Sequence, residues 1–242
     1  MKTGLSTPQN HLIERLPRTE RQRLLKLCEP VDLTAADVIR RPGEPALHAY
    51  FPVESFVSIM QQTDAYPPLE VGMVGREGML GAELAFGVTS TPLFAVVQCS
   101  GRAWRVVRDD LLQLLLDSSA LQHLLQRYVF VLMAQLSAAV ACQRFHLIEA
   151  RLARQLLMRQ DRTNSDTLHD THESLARMLG IRRVSVTVAA GELQRNGLIA
   201  YRRGELQVLD RMGLRAKACS CYKQDQQTYN ALMTDLFKRH EI

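Results

Sequence analysis

An α+β chain is predicted, in which an N-terminal β-rich domain, closed as a sandwich or barrel, is joined by a long helix to a C-terminal winged helix-turn-helix. Three observations carry this. Short runs rich in Val, Phe and Tyr are cut by Pro42-Gly43, Pro45, Pro52, Pro67-Pro68, Gly72, Gly75, Gly78, Gly81 and Gly87, and punctuation at that density marks many short strands. Apolar residues then recur at a seven-residue period from Leu121 to Cys142. Two short helical patterns flank Gly180, and a hairpin with arginines at its tip follows them. The 242 residues, 46% hydrophobic and 23% charged, suffice for one large or two ordinary domains of roughly 100 to 200 residues each.

From His11 to Cys28, residues Leu12, Leu16, Leu24, Leu25 and Leu27 keep helical spacings around a restart at Pro17-Arg18-Thr19, which predicts an amphipathic helix. Strands occupy the punctuated region from Val31, and strand-like segments continue at Phe94 to Cys99 and Ala103 to Val107. Helix returns at Arg108 to Leu116, and a longer one runs from about Leu121 to His146. In it Leu121, Leu125, Tyr128, Leu132, Gln135, Ala139 and Cys142 alternate steps of four and three, the spacing by which two helices keep one seam in contact. A symmetric dimer interface is one reading of that seam; a helix packed on its own domain is the other. The expected division is therefore 1–117 for the β-domain with its N-terminal helix, 118–147 for a dimerisation helix, and 148–242 for the winged domain with a C-terminal extension.

The strongest signal lies between Asp170 and Leu209. Asp170, with Glu173 three residues on, has the arrangement of a capping box. The helix it opens, His172 to Leu179, turns Leu175, Met178 and Leu179 inward and stops at Gly180, the residue best able to take a left-handed conformation. A second helix from about Arg183 to Asn196 is stopped by Gly197, and two helices around so short a turn form a helix-turn-helix. Val186, Ala189, Ala190 and Leu193 are expected to face the first helix. That leaves Arg182, Arg183, Ser185, Thr187 and Val188 at the N-terminal end, from which a recognition helix reads base edges. Arginine suits the two acceptors of a guanine edge, and small hydroxyl or β-branched groups suit phosphates or a thymine methyl. Leu198 to Leu209 reads as a hairpin turning at Gly204, with Arg202 and Arg203 placed to reach a phosphate. Charge follows the same division: from Arg151 onward 16 Lys and Arg stand against 10 Asp and Glu, a balance of +6, whereas the preceding 14 and 15 give −1. A polyanionic partner such as double-stranded DNA fits that asymmetry.

These residues resemble the Crp/Fnr family of bacterial regulators over essentially the whole chain. The likeness is sharpest from His172 to Thr187, and continues through Gly197-Leu198-Ile199, Arg203-Gly204-Glu205-Leu206 and Asp210-Arg211; Tyr50-Phe51-Pro52 and Val74-Gly75-Arg76-Glu77-Gly78-Met79 carry it into the N-terminal half. The resemblance implies a double-stranded β-helix, or β-roll, of the cyclic-nucleotide-binding type, a dimerisation helix and a DNA-binding domain on a two-fold symmetric operator, with RNA polymerase as a further partner. It adds Thr171, His172 and Val184 to the expected DNA contacts. It also implies an effector pocket at Gly81, Ala82, Glu83, Pro92 and Leu93, with two departures. Members that bind cyclic AMP carry a Gly-Glu pair for the ribose and an Arg for the phosphate; here Gly81 is followed by Ala82, with Glu83 one residue later, and Pro92-Leu93 takes the place of the arginine. A buried phosphodiester without a cationic partner is costly, so a response independent of cyclic AMP, to an unidentified effector, is expected. A cyclic-nucleotide or cyclic-di-GMP module whose C-terminal domain docks protein is the alternative.

Enzymatic function is not expected, for the chain has no Walker loop, no GxGxxG, no His-Glu-x-x-His and no nucleophile elbow. Neither cofactor nor metal is expected. The five cysteines, Cys28, Cys99, Cys142, Cys219 and Cys221, are odd in number and scattered, unlike a disulfide framework. Cys28 alone stands where the iron-sulfur branch of the family has a cluster of cysteines, His48 and His146 read as structural, and Cys219-Ser-Cys221 lacks a matching second pair. No secretory leader is expected among the first thirty residues, dotted as they are with Lys2, Glu14, Arg15, Arg18, Glu20, Arg21, Arg23 and Lys26. The longest uninterrupted apolar run, Val129 to Ala134, is far short of the ~18 residues of a membrane span, which leaves a cytoplasmic location as the expectation.

Overall fold

The computed structural model describes residues 10–163, 165–202, 204–234 and 236. Two short helices, α1 (His11–Arg15) and α2 (Arg18–Leu27), precede seven strands: β1 (Cys28–Leu33), β2 (Val38–Arg40), β3 (His48–Pro52), β4 (Phe56–Thr63), β5 (Tyr66–Val74), β6 (Phe94–Cys99) and β7 (Gly101–Val107). They form two antiparallel sheets, ordered β1-β7-β3 and β2-β6-β4-β5. The sheets share a core in which Leu33 and Tyr50 of one meet Val57, Ile59 and Ala95 of the other. Pro67 and Pro68 sit inside β5 rather than between strands. β5 is the outer strand of its sheet and pairs only with β4, the position where a missing backbone donor is tolerated.

Helices α3 (Arg108–Asp117) and α4 (Ser119–Phe145) close the β-domain, and α5 (Ile148–Thr163) opens the C-terminal half. There β8 (Thr167–His169), α6 (His172–Leu179), α7 (Arg183–Arg195), β9 (Ile199–Arg202), β10 (Glu205–Val208), α8 (Arg211–Lys217) and α9 (Ser220–Met233) follow. The winged domain has one core, in which Leu175, Ala176 and Leu179 of α6 pack on Val186, Ala189, Ala190 and Leu193 of α7 over Leu152, Leu156 and Leu157 of α5. The segment 148–242 is not self-contained, however. The end of α9 returns to α4, and Met233 is buried in the β-domain core with Leu124, Tyr128 and Val131. By length and composition α4 is apolar enough to cross a membrane, although no single apolar run in it is long; its inner face is spent on this core.

The seven-residue repeat has its partner within the chain. Leu121, Leu125 and Tyr128 are buried in the β-domain core, Cys142 is buried beside Cys219 and Cys221, and Leu132 and Gln135 line a cavity under the β-domain. The expected seam is thus corrected: its period records packing on the helix's own domain. Besides Phe145 at its end, the large apolar residues of α4 left uncovered are Phe130 (57% exposed), Met133 (58%), Leu136 (37%) and Val140 (71%), which lie about a third of a turn further round the helix.

Helix α5 bolts the two halves together. Arg159, 1% exposed, pairs with Asp170 of its own domain and lies 3.8 Å from Glu70 of β5, with its guanidinium over the Phe56 ring of β4. Glu70 also accepts hydrogen bonds from Ser58 and from Gln155 of α5. Arg162 meets Glu77 at 2.9 Å. The glycines of the Val74 to Met79 phrase make room at this joint. A side chain at Gly75 would collide with Arg162, and one at Gly78 with the Tyr128 ring of α4.

Candidate nucleic-acid interface

The helix-turn-helix is built from local chemistry. The cap of α6 is Thr171 rather than the expected Asp170. The Thr171 hydroxyl accepts from the Ser174 amide at 3.0 Å, and the Ser174 hydroxyl accepts from the Thr171 amide at 2.9 Å. Asp170 is instead drawn into the buried pair with Arg159, a stronger claim on a carboxylate than an exposed helix end. Gly180 ends α6 at φ 64° and Gly197 follows α7 at φ 70°, the left-handed conformation that favours glycine.

The N-terminal end of α7 presents Arg182, Arg183, Val184, Thr187 and Val188 to solvent, with Ser185 half-buried behind them. Val184 and Val188 are 64% and 65% exposed, so neither contributes to a core. Arg182 is the N-cap of α7 and offers no side-chain cap, which leaves first-turn amides and the positive end of the helix dipole open to an anion. Thr171 and Arg202 are exposed on the same domain, whereas Arg203 lies outside the described residues.

His172 ties three elements. Its ring stacks on Tyr201 of β9 with centroids 4.3 Å apart, and its Nδ1 lies 3.0 Å from the Thr187 hydroxyl of α7. It is therefore a brace between α6, the recognition helix and the wing. Burial, and then the Arg183 guanidinium, hold its pKa below the usual 6.5. Chemical-shift titration is expected to find His172 titrating below 6.5, and Arg183→Ala to move the midpoint up towards that value. Because the folded pKa is depressed, the neutral ring's contribution to stability is complete above pH 6.5 and is lost as pH falls through the folded pKa. The hairpin of β9 and β10 gains a third strand, β8, which the sequence reading lacked.

The effector residues are divided. Gly81, Glu83 and Leu93 line a cavity of about 120 Å³ between the β-domain and α4, together with Arg40, Ile59 and Leu136. Ala82 and Pro92 do not line it: Ala82 is packed into the core, and Pro92 is exposed. The expectation that no cation stands there is also corrected. Arg40 of β2 is 7% exposed and pairs with Glu83, a juxtaposition across 43 residues that no local motif announces.

Comparisons agree with this geometry. Residues 150–217 match the Crp-like helix-turn-helix domain. The chain is 29% identical over 202 residues to the transcriptional regulator SdrP of Thermus thermophilus, covering 81% of this chain and 96% of that protein. The solved structure of TTHA1359, a Crp/Fnr-family transcriptional regulator of Thermus thermophilus, superposes with a TM-score of 0.62 at 26% identity, over 78% of this chain and 98% of that one. FixK2 of Bradyrhizobium japonicum shares the fold with a TM-score of 0.67 at 15% identity, over 79% and 98%. Residues 150–217, with their exposed arginine-led helix, are thus a Crp-like helix-turn-helix domain, and the chain as a whole is similar to transcription regulators of the Crp/Fnr family.

Proposed function

We propose that the chain acts as a cytoplasmic homodimer that binds a two-fold symmetric operator, inserting the N-terminal end of α7 from each subunit into successive major grooves. The observation that carries this is the exposure of Arg182, Arg183, Val184, Thr187 and Val188 on one helix end whose opposite face is fully packed. Arg183 is the base-reading side chain, Ser185, Thr187 and Val188 its neighbours in the groove, and Thr171, His172, Arg202 and Arg203 meet phosphates. The uncovered stripe of α4, from Phe130 to Val140, supplies the dimer seam, because apolar side chains at that exposure are stabilised by a second copy of the same face.

The effector enters the cavity lined by Gly81, Glu83 and Leu93. Arg40 is already neutralised by Glu83, so a cyclic phosphate would have to displace a carboxylate; the mainly apolar lining suits a less charged molecule. Leu132, Gln135 and Leu136 of α4 share that lining, so a molecule bound there would rest against the seam helix and have a route to the spacing of the recognition helices.

Selection of bound sequences from random duplexes, with and without cell metabolite extract, tests the reading. Two half-sites about 34 Å apart are expected. On the selected operator Arg183→Ala is expected to cost roughly 1 to 3 kcal/mol and to relax preference at one base pair. Equal affinity of wild type for operator and random duplex would end the proposal.

A further inference from the structure

The last turn of α4 and the first turn of α9 bring together four groups that the sequence separates by 77 residues. Cys142 lies in the last turn of α4 and His146 caps its C-terminal end, while Cys219 caps the N-terminal end of α9 and Cys221 lies in its first turn. Their ligand atoms, three Sγ and one imidazole nitrogen, all lie within 4.8 Å of one another, with the three cysteines buried and the histidine half-buried. The Cys142 and Cys219 sulfurs are 3.5 Å apart, and the Cys221 sulfur is 3.6 Å from His146 Nδ1. A tetrahedral zinc ion with Zn–S of about 2.3 Å and Zn–N of about 2.05 Å requires edges of about 3.8 Å for S···S and about 3.6 Å for S···N. The Cys142–Cys219 and Cys221–His146 edges, 3.5 Å and 3.6 Å, are close to those lengths, and no edge exceeds 4.8 Å.

We infer that Cys142, His146, Cys219 and Cys221 form a closed Cys₃His site for a thiophilic divalent cation of the zinc class, which clamps the end of the long helix to α9. The order of ligands, Cys-x₃-His followed by Cys-x-Cys, gives two short-spaced pairs from two helix ends, the second one residue tighter than the usual Cys-x₂₋₄-Cys of structural zinc sites. Softness selects zinc over magnesium or calcium, which take oxygen ligands. Each thiol loses its proton to solvent on coordination, and no electron is transferred. Three thiolates, a neutral imidazole and a dication sum to −1, and the countercharge is in place. Arg151, 9% exposed and within electrostatic reach of Cys142 and Cys219, has no carboxylate partner among the described residues; it donates to the Leu179 carbonyl at 2.6 Å. Neighbouring Arg154, by contrast, is matched by Asp225 at 2.6 Å. The site spans the joint where the chain leaves α4 at His146 and enters α5 at Ile148, so an ion there fixes the angle at which the winged domain leaves the helix. This assignment stands whether or not the chain binds DNA as proposed.

Full-length protein purified without chelator is expected to carry one zinc per chain by elemental mass spectrometry. After metal exchange, cobalt(II) should give the visible bands of a tetrahedral ion together with thiolate-to-cobalt charge transfer. Cys142→Ser with Cys219→Ser should abolish both signals, whereas Cys28→Ser with Cys99→Ser should leave them unchanged. Zinc removal should lower the melting temperature of the wild type only. Should the double variant fail to fold, the wild-type stoichiometry and cobalt spectrum still decide. Wild type that stays metal-free after dialysis against zinc, or a cobalt spectrum without thiolate charge transfer, overturns the site; so does an intact mass two hydrogens light after exposure to air in zinc-loaded buffer, which would make Cys142 and Cys219 a redox pair instead.

Discussion

Arg159→Ala is expected to lower the stability of the folded chain by about 3 to 5 kcal/mol, the cost of leaving a buried charge without its partner. The site is unfavourable for any half-measure. Arg159 is 1% exposed, and its guanidinium serves Asp170 at the entrance to α6 and Glu70 on β5, with the Phe56 ring beneath it. Removing it strands two carboxylates in a region of low dielectric and opens a void against Phe56. Chemical denaturation followed by circular dichroism measures the loss. A change of less than about 1 kcal/mol, the range of an exposed ion pair, would show that the network is hydrated and contributes little.

Phe130→Glu combined with Val140→Glu is expected to convert the proposed dimer to a monomer and to cut operator affinity by a factor of ~10³ or more, towards the non-specific level. The reason is a difference between two environments. In one subunit Phe130 and Val140 are 57% and 71% exposed, so a carboxylate there disturbs no core and the subunit folds. Within a seam of two such helices, the same carboxylates face each other without a cation and without water, which is costly. Sedimentation equilibrium reads the first effect and a duplex titration the second. The paired control is Leu125→Glu, which sits on the buried face and should unfold the subunit instead. A double variant that remains dimeric would place the seam elsewhere.

What could be read from the chain alone was whatever is decided within a few residues. The ends of α6 and α7 were legible because Gly180 and Gly197 have to take left-handed conformations, and the hairpin because Gly204 turns between two short strands. The capping residue of α6 was displaced by one position, since a distant arginine competes for Asp170. Helix α5 was not legible at all. It carries Arg151, Arg154, Arg159 and Arg162, and every one is buried together with Leu152, Leu156 and Leu157, so the usual separation of apolar inside from charged outside does not mark it. The seven-residue repeat of α4 shows the same limit from the other side: a period reveals that a helix has a preferred face, and cannot say which surface meets it. Likewise Arg40 with Glu83, and Cys142 and His146 with Cys219 and Cys221, are neighbours only after the sheets and helices have closed.

Helix α5's anchorage in the β-domain separates two kinds of electrostatics by their response to salt. The proposed grip on a duplex would work through exposed arginines and phosphates, and would weaken steeply as ions compete for both. Pairs sealed between Arg159 and Glu70, or Arg162 and Glu77, are beyond the reach of that competition, because mobile ions screen charges they can approach. A rise in ionic strength is therefore expected to release the nucleic acid while leaving the pairs that hold α5 to the β-domain intact.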